Sequence, residues 1–283
     1  MNTWACKTSC QKGMNTFVPV ATIDALRERI RCFEGGARHE RTALPFGVDA
    51  IDERLPEGGL ALGALHEVAG GGDGAIDGAA AALFAAGIAA RTRGRVLWCV
   101  TRQDLFAPAL AQAGLAPDRV IYVEAGDEKS VLACFEEALR YRKLGAVVAE
   151  VARLSMTASR RLQLAAEDSG VIGLALRRWR RQAQAADFGQ PTASTTRWRI
   201  SALPSTSLPV PGVGRGRWRL ELVRCRRGES AEFEVEACDA QGRLALPAEM
   251  GHRPTTAELA RRTRGASHRL IAVASSKKFL GQK

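Results

Sequence analysis

No register of the 283 residues places two glycines five apart ahead of Lys-Ser or Lys-Thr. That is the pattern in which loop N–H groups, an amine and a hydroxyl hold a nucleotide's phosphates and their magnesium. Lysine is missing altogether between Lys12 and Lys129. No run of eighteen apolar residues exists, so no helix spanning a bilayer is expected. The seven cysteines include no CxxC pair, and Cys6 and Cys10 have no histidine near them, so no zinc site is expected. An odd, unpatterned count suits a reducing, cytoplasmic compartment. The opening MNTWACKTSCQKGMN has no apolar signal core, and Met14 is an alternative start. His39, His66, His252 and His268 are isolated, each expected at the surface or as a cap. No Ser/His/Asp set or carboxylate pair stands out, and Asp49, Asp52 and Glu53 read as an exposed acidic helix face.

What the chain does have is a 46% hydrophobic fraction and a net charge of +11 carried almost wholly by arginine. The first supports a globular core, and the second favours a polyanionic partner. Arginine forks onto phosphates and stacks on bases, although a GC-rich genome would also write arginine for lysine.

The stretch LHEVAGGGDGAIDGAAAALFAAGIAA (65–90) is built like a phosphate loop: an apolar strand, a glycine-rich turn, then an alanine-rich helix from about residue 79. Counted from Gly70, the signature needs Gly at 75, Lys at 76 and Ser or Thr at 77, and the chain has Ala75, Ile76 and Asp77. Asp73 and Asp77 put negative charge where a phosphate would sit, and an acid there is expected to cap the helix itself. Beyond it, apolar strands at 95–100, 120–123, 146–151 and 171–176 alternate with helices at 105–113, 130–142 and 157–167, which predicts a parallel sheet covered on both faces. Segments 197–203, 217–223 and 231–237 alternate by two and predict antiparallel strands with one wet face. A short amphipathic helix is expected at 23–30, and a basic tail beyond 247.

This order of elements resembles a RecA-type core over residues 42–245. TALPFGVDAIDERLPEGGLALGALHEVAG is similar to the approach to its phosphate loop, and RVLWCV stands as its second core strand. AVVAEV replaces the Walker B strand, and FGQPTASTTRWRISAL resembles the exit from its second DNA-contacting loop. Within that superfamily the degenerate loop behind L-P-F-G…A-I-D-x-x-L-P-x-G-G-L is most similar to the ImuA-type proteins. The resemblance implies an α/β RecA-like core with a mainly parallel central sheet flanked by helices, extended by antiparallel strands at its C-terminal side. Around it lie an N-terminal segment (1–41) and a basic tail (246–283). It implies an accessory role in SOS-induced translesion synthesis and damage-induced mutagenesis. The implied partners are an ImuB-type Y-family-like polymerase subunit, an error-prone replicative polymerase, RecA through shared fold surfaces, and DNA on the nucleoid.

The same resemblance locates what is lost. Glu150 stands at the Walker B position and Arg102 where the water-activating glutamate would be. With Ile76 and Asp77 in the loop, the residues for phosphate, metal and water all fail together. No catalytic residue, metal or resident cofactor is therefore expected, weak nucleotide binding without turnover being left open. Arg177, Arg178, Trp179, Arg180 and Arg181, with Arg197 and Arg199 on the next strand, have the composition of a single-stranded DNA surface. The competing reading is a solvated basic turn with Trp179 packed down. Trp198 and Trp218 are expected to point inward with the neighbouring arginines outward. Two other functions stay open: a DNA-dependent ATPase with an unorthodox loop, or a pure protein-interaction factor such as an SOS cell-division inhibitor.

Overall fold

Strands that are apolar on both faces are stable only when both faces are covered, and the chain folds accordingly. A computed structural model describes residues 43–72, 74–179, 186–205, 212 and 214–247. The expected helix at 23–30, Asp73, Arg180, Arg181, three of the four histidines and the tail beyond 247 lie outside these residues. A two-residue strand, β1 (Ala43–Leu44), pairs antiparallel with β2 (Leu60–Ala61), and the short helix α1 (Asp49–Asp52) lies between them. There follow β3 (Leu65–Gly70), α2 (Ala75–Ala90), β4 (Arg95–Val100), α3 (Ala107–Gln112), β5 (Val120–Glu124), α4 (Glu128–Leu139), β6 (Leu144–Val151), α5 (Met156–Ser169) and β7 (Ile172–Arg177). Last come β8 (Thr196–Leu203), β9 (Arg217–Cys225) and β10 (Ala231–Glu236). They form one eight-stranded sheet in the order β10-β9-β8-β3-β7-β6-β4-β5. Pairing is parallel from β8 through β5 and antiparallel for β8-β9 and β9-β10.

One core lies under α2, where alanines let the helix approach the sheet closely and Phe84 meets Phe46, Trp198 and Trp218 at ring centroids 5.8, 5.8 and 6.5 Å apart. Trp198 and Trp218 are buried, as their alternation predicts. The other core joins α4 and α5 to the opposite face, with Val131, Phe135, Leu139 and Leu162 buried against Leu65 and Val147. Gly170, in the left-handed region at φ 80°, closes α5.

Several local expectations give way to packing. Helix α2 starts at Ala75, four residues before the alanine run predicts, because Gly74 adopts an extended N-cap conformation. Asp52 is no mere exposed acid: its carboxylate accepts from the N–H groups of Phe46 and Gly47 at 2.7 and 2.9 Å, fixing the turn that brings Phe46 onto the core. His66 is neither surface nor cap. It is fully buried between β2 and β8, with Nε2 donating to the Ala61 carbonyl and Nδ1 accepting from the Thr196 hydroxyl, both at 2.8 Å.

Two predictions follow the packing. Phe84→Ala should cost about 3–5 kcal/mol of unfolding free energy, because three rings lose their common neighbour; a urea midpoint within error of the unaltered chain contradicts it. Burial lowers the His66 imidazole from 6.5 to about 4. A depressed folded-state value means stability present above pH 6.5 and lost as pH falls toward 4, by about 3 kcal/mol. His66→Asn should flatten unfolding stability over that window, and an unchanged slope contradicts the assignment.

Candidate functional site

Parallel α/β sheets place their functional loops beyond the carboxyl ends of the strands. Here β3, β4, β6 and β7 deliver the glycine loop, residues 101–106, Ala152 and Arg177–Trp179 to one end of the sheet. A cleft of about 500 Å³ opens between the start of α2 and the start of α3, lined by Gly72, Ala79, Leu83, Phe106 and Arg178 among others. A second cavity of about 320 Å³ lies beside it, and Asp104, Arg178 and Trp179 line both.

Two of the loop's glycines, Gly70 and Gly71, are accounted for by close packing. A Cβ on Gly71 would sit 1.9 Å from the Ser201 hydroxyl, and one on Gly70 would sit 2.9 Å from the Asp77 carbonyl carbon. The Gly71 N–H is committed to the Ile200 carbonyl at 2.7 Å. Asp77 does not cap its own helix as expected. Its Oδ1 accepts from the Ala202 N–H at 2.8 Å and so ties α2 to the end of β8. Among the described residues, no side chain caps the Gly74 end of α2. Ile76, in the first helical turn, is 73% exposed.

At the Walker B position Glu150 is almost fully buried. Its carboxylate accepts from Trp98 Nε1 at 3.1 Å and from Arg178 Nη1 at 2.5 Å. Arg178 also holds Asp104 at 2.8 and 3.2 Å. Burial pushes the Glu150 carboxyl above its ordinary range, although Arg178 and Trp98 oppose this. For Arg178, burial works downward but the bonds to Asp104 and the charge of Glu150 prevail, so the guanidinium titrates above its usual value. The one acid at the metal-holding position thus already has a cation. Arg102 is exposed, and its charge reaches Asp104.

The expected DNA-contacting cluster divides. Arg177 is an extension of β7 and is 1% exposed; Arg197 is 5% exposed. Both therefore leave the solvent-facing surface on which the sequence reading placed them, because the face of β8 expected to be wet is covered by residues 186–194. What draws them in is Glu67, a fully buried acid on β3 that sequence reasoning passed over. Glu67 accepts from Arg177 Nη1 at 2.8 Å, Arg197 Nη2 at 3.2 Å, Ser194 Oγ at 2.7 Å and the Thr192 hydroxyl. Arg177 also reaches the Ala152 carbonyl at 2.9 Å and Asp187, while Arg197 reaches the carbonyls of Phe188 and Gln190 at 2.6 and 2.8 Å. A signal for Glu67 existed: a lone charge inside LHEVAG, on a strand otherwise apolar, needs a buried counter-ion. Trp179 is packed down, its Nε1 donating to the Ala152 carbonyl at 3.2 Å and its ring set against Phe188 at 5.7 Å. Arg199 stays half-exposed and pairs with Glu221 at 3.1 Å.

Removing the acid from two buried guanidiniums leaves uncompensated charge, so Glu67→Gln should cost about 3–5 kcal/mol. The joint replacement Glu67→Met with Arg177→Met should recover part of it. An unfolding midpoint indifferent to Glu67→Gln contradicts the network.

No protein-family model matches the sequence. The crystal structure of the RadB recombinase superposes with a TM-score of 0.50 at 16% identity, over 72% of this chain and 99% of that one, which shows a RecA-like fold. Proteins named Protein ImuA from two strains of Caulobacter vibrioides, NA1000 / CB15N and ATCC 19089 / CIP 103742 / CB 15, are each 41% identical over 217 residues, covering 73% of this chain and 88% of theirs. At that identity and coverage, the chain belongs to the ImuA family.

Proposed function

We propose that the chain is a non-hydrolysing RecA-like accessory protein of an SOS-induced translesion-synthesis complex, acting in damage-induced mutagenesis. It binds an ImuB-type Y-family-like polymerase subunit, works with an error-prone replicative polymerase, contacts DNA, and meets RecA through the fold they share. Membership of the ImuA family supports the accessory role. The observation that carries the loss of hydrolysis is the ion-paired Glu150–Arg178–Asp104 cluster, with Ile76 standing where a lysine would meet phosphate. A phosphate entering here meets acids whose own cation is already engaged, and magnesium finds no Ser or Thr at position 77. Any nucleotide held without lysine or magnesium is bound weakly and left intact.

With Arg177 and Arg197 engaged inside and Arg178 paired with Glu150 and Asp104, single-stranded DNA falls to Arg180 and Arg181, supported at the margin by Arg199. The purified full chain should form a complex with the polymerase-like subunit in size-exclusion chromatography and bind single-stranded DNA at moderate salt. Arg180→Ala with Arg181→Ala should weaken DNA binding and reduce the magnitude of its salt slope by about 1.4. A complex with the subunit but no DNA binding would instead favour a pure protein-interaction factor. Failure to bind the subunit at all would sink the reading.

A further inference from the structure

Among the described residues, the two most exposed large apolar side chains are Ile76 at 73% and Phe106 at 69%; Phe106 lines the glycine-loop cleft, and Ile76 follows Ala75, which lines it, in the first turn of α2. Ile76, Ala79 and Leu83 fall at i, i+3 and i+7, so they form one stripe along the open face of α2. Ala79 and Leu83 line the cleft itself, opposite Leu105 and Phe106. Among the described residues that line the adjoining cavity, Asp104, Asp127, Glu128 and Glu150 stand against one guanidinium, that of Arg178, while Arg102 and Lys129 act on Asp104 and Asp127 from outside the lining. Two of these acids are held in place by backbone donors: Asp127 accepts from the Ser130 N–H at 3.0 Å, and Glu128 from the Arg153 N–H at 2.5 Å. On a chain of net charge +11 this is a local excess of negative charge.

We infer that the cleft and the acidic cavity together form the docking site for an extended protein segment, one that inserts an apolar side chain between Phe106 and the α2 stripe of Ile76, Ala79 and Leu83 and sets a lysine or arginine among the carboxylates. The inference rests on the proposed accessory role and assigns the segment to the polymerase-like subunit. Charge decides the occupant. Phosphates of a nucleotide or of DNA meet four carboxylates and one paired guanidinium, whereas a basic side chain is attracted. The apolar walls provide what a central anchor needs: a desolvated pocket flanked by groups that exclude water. The degenerate loop thereby gains a use. Isoleucine in place of lysine converts the mouth of a phosphate site into apolar contact surface.

The test is the affinity of the full chain for the polymerase-like subunit, measured by calorimetry, with Ile76→Ser and Phe106→Ser. Serine adds no charge, and Phe106 is the N-cap of α3, where serine is favoured, so folding is retained and a thermal melt checks it. Each substitution should weaken the complex about tenfold or more while leaving DNA affinity unchanged. Asp104→Asn should weaken it further and reduce its salt dependence. Subunit affinity unmoved by all three overturns the inference and leaves the proposed function standing; that is also the result if the chain's own basic tail or a second copy fills the cleft. Absence of any complex with the unaltered chain overturns both.

Discussion

Glu67 is a carboxylate wholly buried from solvent, and the stretch from residue 186 to β8 takes its form from that fact. A buried charge must be paired and hydrogen-bonded, so two guanidiniums and two hydroxyls close on it from β7, β8 and the segment between them. Arg177 then recruits Asp187, Arg197 recruits the carbonyls of Phe188 and Gln190, and the stretch leading to β8 is laid down over the sheet. The arrangement is not free of cost: Arg177 Nε and Arg197 Nε are buried with no hydrogen-bond partner among the described residues. Buried ion networks of this kind fix one geometry more than they add stability.

A similar economy governs the other end of β3. Gly70 and Gly71 are required there because α2 and β8 come too close for a side chain. Asp77 serves as a bolt between α2 and Ala202, and Glu150 as the counter-ion of Arg178. Positions that a phosphate loop uses for chemistry have thus become positions that hold the sheet end together. The scaffold survives because close packing needs the same backbone that phosphate binding needs. The exposed remainder of the loop is apolar, which suits a protein surface better than a phosphate.

Most of the fold was legible because it rests on periodicity. The apolar strands, the alanine helix and the alternating strands at 197–237 each announce how they are buried, and Trp198 and Trp218 lie where alternation puts them. The site was legible only in part. Ile76 and Asp77 are visible as departures from a known spacing, but where Asp77 sends its carboxylate depends on Ala202, more than a hundred residues away. Arg177 and Arg197 read as surface because arginine usually is. Their burial is set by one glutamate on a distant strand, and pairwise partners across a sheet leave no local pattern. His66 was misplaced for the same reason: its partners, Ala61 on β2 and Thr196 on β8, lie on separate strands that only the fold brings to β3.

The most direct measurement of the central claim is phosphate release from ATP by the purified full chain with magnesium and single-stranded DNA. A chain whose Walker B acid is sealed by Arg178 and whose loop lacks its lysine should release phosphate no faster than buffer, and Glu150→Gln should change nothing. DNA-stimulated turnover that disappears in Glu150→Gln would contradict the account, because it would show Glu150 still at work on a nucleotide.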